Sequence, residues 1–387
     1  MKFELINDTL TLFPEGNLTS VNAAEWEQDA FDTIGKQTFS ELVLNARNVP
    51  YVSSAGLRVI LKLKKTYTSF SVVDLTPDLW DIFSMTGFTQ MMDCQRILRR
   101  LDISGAKLIG EGAVGRVYRI DADTIVKVYK HGTLKEIRQE MEVAKRAFRL
   151  GVPTAIPYEL VLVDDAYGTV YEMLGSDCPR TLIATGNEKL DFVVEKYAAL
   201  LHDLHAVSVE DDFENAKVFF LSFLENAASA LFTDAEREKM IALIRSVPDA
   251  DTLVHNDLHL GNVLSLNDDW MIIDLDGMTK GHPVFEFGAI FATYYAFFEN
   301  DHAGLEDFHK IPWSVATQLR HDLLRRYYDG VCEEKIKEIE KSVAFIGYVR
   351  LIAFLIARPG FSADLPNVAN AVAKLREMLP TLSTLVC

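Results

Sequence analysis

No stretch of this chain is both long and apolar enough to read as a membrane-spanning helix. The two most apolar segments, 285–298 and 343–356, are interrupted by Glu286 and Arg350 and fall short of the roughly 20 apolar residues a span requires. They read instead as buried helices of a helical lobe. Positive charge is also scarce: 39 Lys and Arg stand against 56 Asp and Glu, for a formal net charge of -17. Nucleic acid and an anionic membrane surface are bound by clustered basic side chains, so this balance disfavours both as partners. The acidity reads as a solubility feature, although it also suits a cationic substrate. Cysteine is sparse. Cys94, Cys178, Cys332 and Cys387 form no CxxC motif, and no Cys/His cluster suggests zinc. Reduced thiols in a cytoplasmic protein are the default expectation. The opening MKFELINDTL lacks a long apolar run and does not read as a signal peptide. Internal repeats and low-complexity tracts are missing too.

What is present is a chain of 387 residues, 49% of them apolar, enough for two or three domains with sizeable cores. A junction near 103–106 separates two blocks. In residues 1–102, apolar runs at 10–13, 41–45 and 70–75 read as strands, and 22–34 reads as a helix. Thr76-Pro77-Asp78 marks a helix start, Leu79, Ile82 and Phe83 give it one buried stripe, and Gly87 supplies a stop. This alternation implies a small α/β domain. The second block opens with candidate antiparallel strands at 106–109, 116–120 and 124–128. Thr133-Leu134-Lys135-Glu136 then forms a capping box for a helix through about Leu150, which Gly151-Val152-Pro153 ends. Strands at 158–163 and 169–173 follow, and from Leu190 the chain is mostly helical. Strand-rich then helix-rich sequence implies an α+β body of two lobes with a cleft between them.

The chemistry concentrates in His255-Asn256-Asp257-Leu258-His259-Leu260-Gly261-Asn262, followed by Ile272-Ile273-Asp274-Leu275-Asp276. H-x-D-x-x-x-x-N, then an apolar strand ending in Asp, has the residue types and order that phosphoryl transfer needs. Asp257 is the candidate base that orients an acceptor hydroxyl and takes its proton. Asn262 and Asp274 offer hard oxygens to magnesium. Asp276 reads as a supporting group or a turn residue, on the same face as Asp274 if the segment stays extended. His255 and His259 read as structural. Upstream, Gly110, Gly112 and Gly115 form a G-x-G-x-x-G-x-V run between two strands, which suits a hairpin whose backbone can approach ATP phosphates. Lys127, between Val126 and Val128, is the candidate phosphate-binding lysine. Glu140 is the choice for its helical partner, with Glu136 and Glu142 as rivals.

From these motifs, residues 107–387 resemble the aminoglycoside phosphotransferase and choline kinase branch of the protein-kinase-like superfamily. HNDLHLGNVL is similar to that branch's H-G-D-L-H-x-G-N, IIDLD to its I-D-[WF]-[ED], and the step at Gly151-Val152-Pro153 to its post-helix turn. The resemblance implies a bilobal kinase-like fold, with an N-lobe over 107–175 and a helical C-lobe over 176–387. It implies ATP and Mg2+ as cofactors, and a small-molecule acceptor with a hydroxyl group. Counting back from the post-helix step, the family's helix glutamate falls on Glu140. Tyr171-Glu172-Met173-Leu174 falls at the hinge, where backbone groups of Glu172 and Leu174 would meet adenine. Asn256 stands where the family often has glycine, which suits either negative φ or an asparagine in the left-handed region. The glycine loop is closer to that of protein kinases, which leaves the acceptor class open.

Asn45 to Leu57 reads NARNVPYVSSAGL: a strand, a Ser-Ser-Ala-Gly turn, and a helix that Ser53 or Ser54 would cap. With LWDIFSMTGFTQMM, this block resembles a STAS domain, the fold of anti-sigma factor antagonists, over residues 1–102. That family's turn is Asp-Ser-[Ser/Thr]-Gly-Leu, whose phosphorylated serine falls on Ser54, while Ser53 and Ala55 depart from the pattern. The resemblance implies a protein partner. Two functional readings follow: an ATP-dependent phosphotransferase with a regulatory STAS module, or a partner-switching regulator whose kinase-like lobe acts on a protein or only senses ATP. A scaffold with a nucleotide-free lobe is a third. Phe219, Phe220, Glu225 and the aromatics of 294–298 either line an acceptor pocket or fill a core.

Overall fold

In the strand Thr9–Phe13, Leu10 and Leu12 are fully buried, while the alternate residues stay partly exposed. This is the period-two pattern of a sheet strand packed on one face. The structure, a computed structural model, describes every residue except 113, 176, 210–212 and 359. It divides into two units, Met1–Asp102 with Leu160–Ala166, and Ile103–Glu159 with Tyr167–Cys387.

The first unit holds a five-stranded sheet in the order Lys2–Ile6, Thr9–Phe13, Glu41–Asn45, Phe70–Leu75, Asp93–Arg96. The first pair is antiparallel and the rest are parallel. Parallel neighbours need crossovers, and the helices Ala23–Ile34, Ser54–Thr66 and Pro77–Met85 lie in those connections. Leu57, Ile60, Leu63, Leu79 and Phe83 from the helices meet Leu42, Leu44 and Val72 from the strands in one core. The strand Lys2–Ile6 escapes the sequence reading because all five of its residues are exposed, so no buried stripe marks it. It is held by the ladder to Thr9–Phe13 through a two-residue turn. Asn7 and Asp8 both take positive φ there, as a hairpin turn of this kind requires. Arg99 and Arg100 pair in parallel with Val161 and Leu162.

In the second unit, Lys107–Glu111, Gly115–Arg119, Thr124–Tyr129 and Ala166–Glu172 run antiparallel in that spatial order. Helix Leu134–Arg149 starts at the capping box read from sequence, with Thr133 and Glu136 exchanging bonds. The remainder is mostly helical. Helix Val284–Phe291 is buried on every side and leads into a π turn at Ala292–Ala296. It crosses the long helix Glu333–Ile356 at two glycines. A Cβ on Gly288 would lie 2.4 Å from Ile346 Cγ2, and one on Gly347 would lie 2.8 Å from the Gly288 carbonyl oxygen. That close crossing places Glu286 and Arg350, the two charges in the apolar runs, near one loop. Among the described residues no helix is long and apolar enough to cross a membrane, and all four cysteines are free thiols.

Candidate functional site

A short hairpin gathers the two candidate magnesium ligands. Val263–Leu266 pairs with Asp269–Ile272 around Asn267 and Asp268, both at positive φ. Its open end therefore sets Asn262 opposite Ile273, whose N–H donates to the Asn262 carbonyl at 2.9 Å, and Asp274 follows directly. The post-helix step docks the same hairpin. The Ile272 N–H donates to the Pro153 carbonyl at 2.7 Å, and Thr154 Oγ1 donates to the Ile272 carbonyl at 2.7 Å.

Lys127 reaches this end from the sheet. Its Nζ donates to Glu140 Oε1 at 2.8 Å and to Asp274 Oδ1 at 2.9 Å. Of the three candidate glutamates, Glu140 is the one that meets Lys127. Glu136 is engaged in the capping box and Glu142 pairs with Lys145. Tyr129, on the same face of the strand as Lys127, donates from its hydroxyl to Glu140 Oε1 at 2.9 Å. Sequence reasoning missed Tyr129; its period-two spacing from Lys127 was the available signal. Burial works against the Lys127 charge, but Asp274 and Glu140 outweigh it and hold the ammonium above its ordinary pKa. For Asp274, the Lys127 charge overcomes desolvation and lowers the carboxyl.

The loop carrying Asp257 is fastened at nearly every residue. His255 Nε2 donates to the Ile273 carbonyl at 3.1 Å, and its Nδ1 accepts the Asp257 N–H at 3.2 Å. These bonds suit one neutral tautomer, and burial lowers the His255 pKa accordingly. His259 Nδ1 accepts the Gly261 N–H at 3.0 Å, and burial pulls its pKa down to about 4. Both histidines therefore act on the backbone. Asn256 takes φ +66°, so the left-handed option is the one used. Its Nδ2 donates to the Gly277 carbonyl and to Thr279 Oγ1, both at 2.8 Å. Asn262 Nδ2 donates to the Asp257 carbonyl at 2.9 Å. Tyr197 donates to the Leu258 carbonyl, and Tyr294 accepts the Leu260 N–H at 2.7 Å.

Glu286 and Arg350 complete this frame, and sequence reasoning read both only as interruptions of apolar runs. The Glu286 carboxylate accepts the backbone N–H groups of His255 and Asn256, the latter at 3.2 Å. Arg350 donates to the Asn256 carbonyl. The available signal was the isolated charge itself, since a charge inside an apolar helix needs a partner. Burial raises the Glu286 pKa to about 7. Asp257 meets solvent at one edge, yet its protein walls desolvate it enough to raise its carboxyl, against the opposing pull of Arg350 and His255. Asp276 does not share an extended face with Asp274. Asp274 takes φ +64° and Leu275–Gly277 turns, so the backbone condition for that expectation fails. Burial, with Asp274 nearby, lifts Asp276 to about 6.

The glycine run forms the turn between Lys107–Glu111 and Gly115–Arg119, with Ala113 outside the described residues. A Cβ on Gly115 would sit 2.5 Å from the Val128 carbonyl oxygen, so only glycine permits this strand approach, whereas Gly112 faces open space. Gly110 marks a register shift in the same ladder. Glu111 in the loop pairs with Arg116 at 3.1 Å and Lys130 at 2.8 Å. Glu172 ends the strand Ala166–Glu172, and Leu174 lies two residues beyond it. The Met173 N–H between them donates to the Asp123 carbonyl at 2.7 Å. Phe220 and Tyr294 are core residues, Phe219 is 40% exposed, and Glu225 pairs with Arg245. In the first unit Ser53, rather than Ser54, caps helix Ser54–Thr66 through the Gly56 N–H, and Ser54 is exposed as the first helical residue.

The donor set fits a magnesium ion. Among the described residues no group of three or more His, Cys, Asp or Glu side chains is arranged to hold a metal. Magnesium asks for less: one or two protein oxygens, with phosphate and water completing its shell. Asp274 and Asn262 at the open end of the hairpin meet that requirement.

A family model described as phosphotransferase enzyme family matches residues 105–326. A STAS domain model matches residues 1–102. No curated protein matches the chain. Solved structures similar to it include an ADP-bound aminoglycoside phosphotransferase, at 17% identity and TM-score 0.49, covering 71% of this chain and 94% of that one. A choline/ethanolamine kinase family protein from Mesorhizobium loti matches at 14% identity and TM-score 0.43, covering 70% and 92%. A putative anti-sigma factor antagonist from Thermotoga maritima matches at 21% identity and TM-score 0.23, covering 25% and 86%.

Proposed function

Because the chain belongs to the phosphotransferase enzyme family, we propose that it transfers the γ-phosphoryl group of ATP to a hydroxyl of a small molecule, regulated by its N-terminal STAS domain. The observation that carries this reading is the Lys127 ammonium bonded at once to Glu140 and Asp274, beside the loop that presents Asp257. Positioning and charge neutralisation do most of the work in phosphoryl transfer, and these residues supply both. Lys127, oriented by Glu140, binds donor phosphates that approach over Gly110, Gly112 and Gly115. Glu172 and Leu174 offer backbone groups to adenine. Asp274 and Asn262 hold magnesium, which when bound neutralises phosphate charge. Asp257 orients the acceptor hydroxyl. The hydroxyl oxygen bonds to the γ-phosphorus, the bond to the bridging oxygen breaks, ADP leaves with that electron pair, and the proton passes to Asp257 and then to water.

ADP release in the presence of magnesium and ATP, against amino-alcohol, sugar and aminoglycoside acceptors, tests this reading. Turnover that survives Asp257→Ala unchanged would refute the role given to Asp257. The exposure of Ser54 at a helix N-terminus favours a second, regulatory reading. A phosphate there meets free N–H groups and the positive end of the helix dipole, and its dianion would repel an acidic partner surface. Mass spectrometry of Ser53 and Ser54 after incubation with ATP checks it. Absence of phosphate on any protein, with rapid small-molecule turnover, removes it.

A further inference from the structure

The peptide just before Asp257 is held by a guanidinium that has capacity to spare. Arg350 lies one turn beyond Gly347 on helix Glu333–Ile356, and donates to the Asn256 carbonyl. That uses one of the five N–H donors an arginine carries. Among the described residues Arg350 makes no ion pair and no second hydrogen bond, although Asp257 and Glu286 are near enough to feel its charge. Glu286 accepts the backbone N–H groups of His255 and Asn256 through Oε2, and Arg350 makes no hydrogen bond to either of its oxygens. Arg350 as a whole residue is partly buried, and its guanidinium lies 5.7 Å from the centre of the Phe219 ring, which is itself 40% exposed. Asp257, the spare Arg350 donors and the Phe219 ring thus cluster at one place, where an acceptor hydroxyl must come if Asp257 is to orient it.

A planar fork of unengaged N–H donors, partly shielded from water, matches the oxygens of a carboxylate or a phosphate and repels an ammonium. We propose that the acceptor is an alcohol carrying an anionic group, a carboxylate or a phosphate ester, and that Arg350 binds that group while Phe219 covers the adjoining carbon skeleton. This deepens the small-molecule kinase reading and rests on it.

The test uses the full chain with magnesium and ATP, and matched alcohols that differ in charge. Glycerate, glycerol phosphate, glycerol and aminopropanediol make one series, and larger sugar and amino-acid alcohols are sorted in the same way. The anionic members should lead each series in kcat/KM, and the glycerate and phosphate arms report which anion is preferred. Arg350→Met should raise KM for anionic acceptors about 10- to 100-fold, the loss expected for charge-assisted hydrogen bonds, and leave KM for neutral ones nearly unchanged. Arg350→Lys keeps the charge without the fork and should retain part of the preference. Losing the Asn256 contact lowers kcat on every acceptor alike, so the KM split decides: a KM that changes equally for anionic and neutral acceptors would make Arg350 a loop support only and overturn the inference. A preference for neutral or cationic alcohols would also overturn it and leave the phosphotransferase reading standing. Should nucleotide bind and no alcohol of any charge accept phosphate, the small-molecule reading falls, and this inference with it.

Discussion

Replacing Glu286 by alanine strips the acceptor from two buried backbone donors, the N–H groups of His255 and Asn256. Each buried donor left unpaired costs about 1–3 kcal/mol, so the loop that carries Asp257 should lose about 2–6 kcal/mol of support. Glu286→Gln separates the acceptor from the charge. Its carbonyl oxygen can still accept both N–H groups, and its amide takes the place of Oε1, which is buried without a partner among the described residues. The pH dependence gives the sharper comparison. The Glu286 carboxyl is raised from 4.5 to about 7 in the folded chain. A raised folded pKa means that its stabilising contribution is complete below 4.5 and is lost as pH climbs through 7. At roughly 1.4 kcal/mol per unit, the loss is on the order of 3 kcal/mol. Glu286→Gln has no such titration, so it should gain on the parent between pH 5 and pH 7, by up to that amount, and the gain should level off above. Hydrogen exchange of the segment 253–262, with denaturant unfolding of the second unit at several pH values, measures both effects. Exchange at His255 and Asn256 unchanged by Glu286→Ala, or a parent and Gln variant that run parallel from pH 5 to pH 7, would refute the reasoning.

Asp257→Asn should lower kcat by about 100- to 10,000-fold, the usual contribution of a general base, with the parent's activity falling on the acid side at a pH above the ordinary aspartate range, because Asp257 is raised; a steady-state pH profile shows both. Asn256→Gly accepts the positive φ and loses only the side-chain bonds to Gly277 and Thr279, whereas Asn256→Ala adds a left-handed penalty of about 1 kcal/mol, so thermal unfolding should rank Gly above Ala. Ser53→Ala should cost the first unit about 1 kcal/mol through the lost cap, and Ser54→Ala less than about 0.5 kcal/mol, as separate denaturant midpoints would show.

The parts of the fold that were legible in sequence are those whose code is local. Thr133 with Glu136, and Thr76 with Pro77, each announce a helix start within four residues, and both helices begin there. The interval from Asn262 to Asp274 is legible for a similar reason. Two strands of four residues and a two-residue turn at positive φ form a closed count, so the motif spacing is itself the hairpin that joins the two ligands. Where no local code exists the reading stops short. The choice of Glu140 over its rivals Glu136 and Glu142 rests on the family resemblance, because nothing local to the helix distinguishes the three; the docked helix shows Glu140 on Lys127. The strand Lys2–Ile6 buries nothing and so leaves no pattern.

Glu286 and Arg350 mark the boundary between the two cases. Each was visible as a lone charge in an apolar run, and physical chemistry already requires such a charge to find a partner. Their partners are backbone groups of a loop far away in sequence, and backbone carries no residue identity from which to read a pairing. What fixes both contacts is the crossing of two helices at Gly288 and Gly347, where any Cβ would collide with the neighbouring helix. The consequence reaches the chemistry. A larger residue at either glycine would push the helices apart and move Glu286 and Arg350 together relative to Asp257, without touching any residue of the motif. Gly347→Ala should therefore lower kcat even where the Lys127–Glu140–Asp274 contacts survive, and hydrogen exchange should locate the disturbance in 253–262 rather than in the glycine-loop hairpin. A disturbance confined to the hairpin would break this link between helix packing and the catalytic loop.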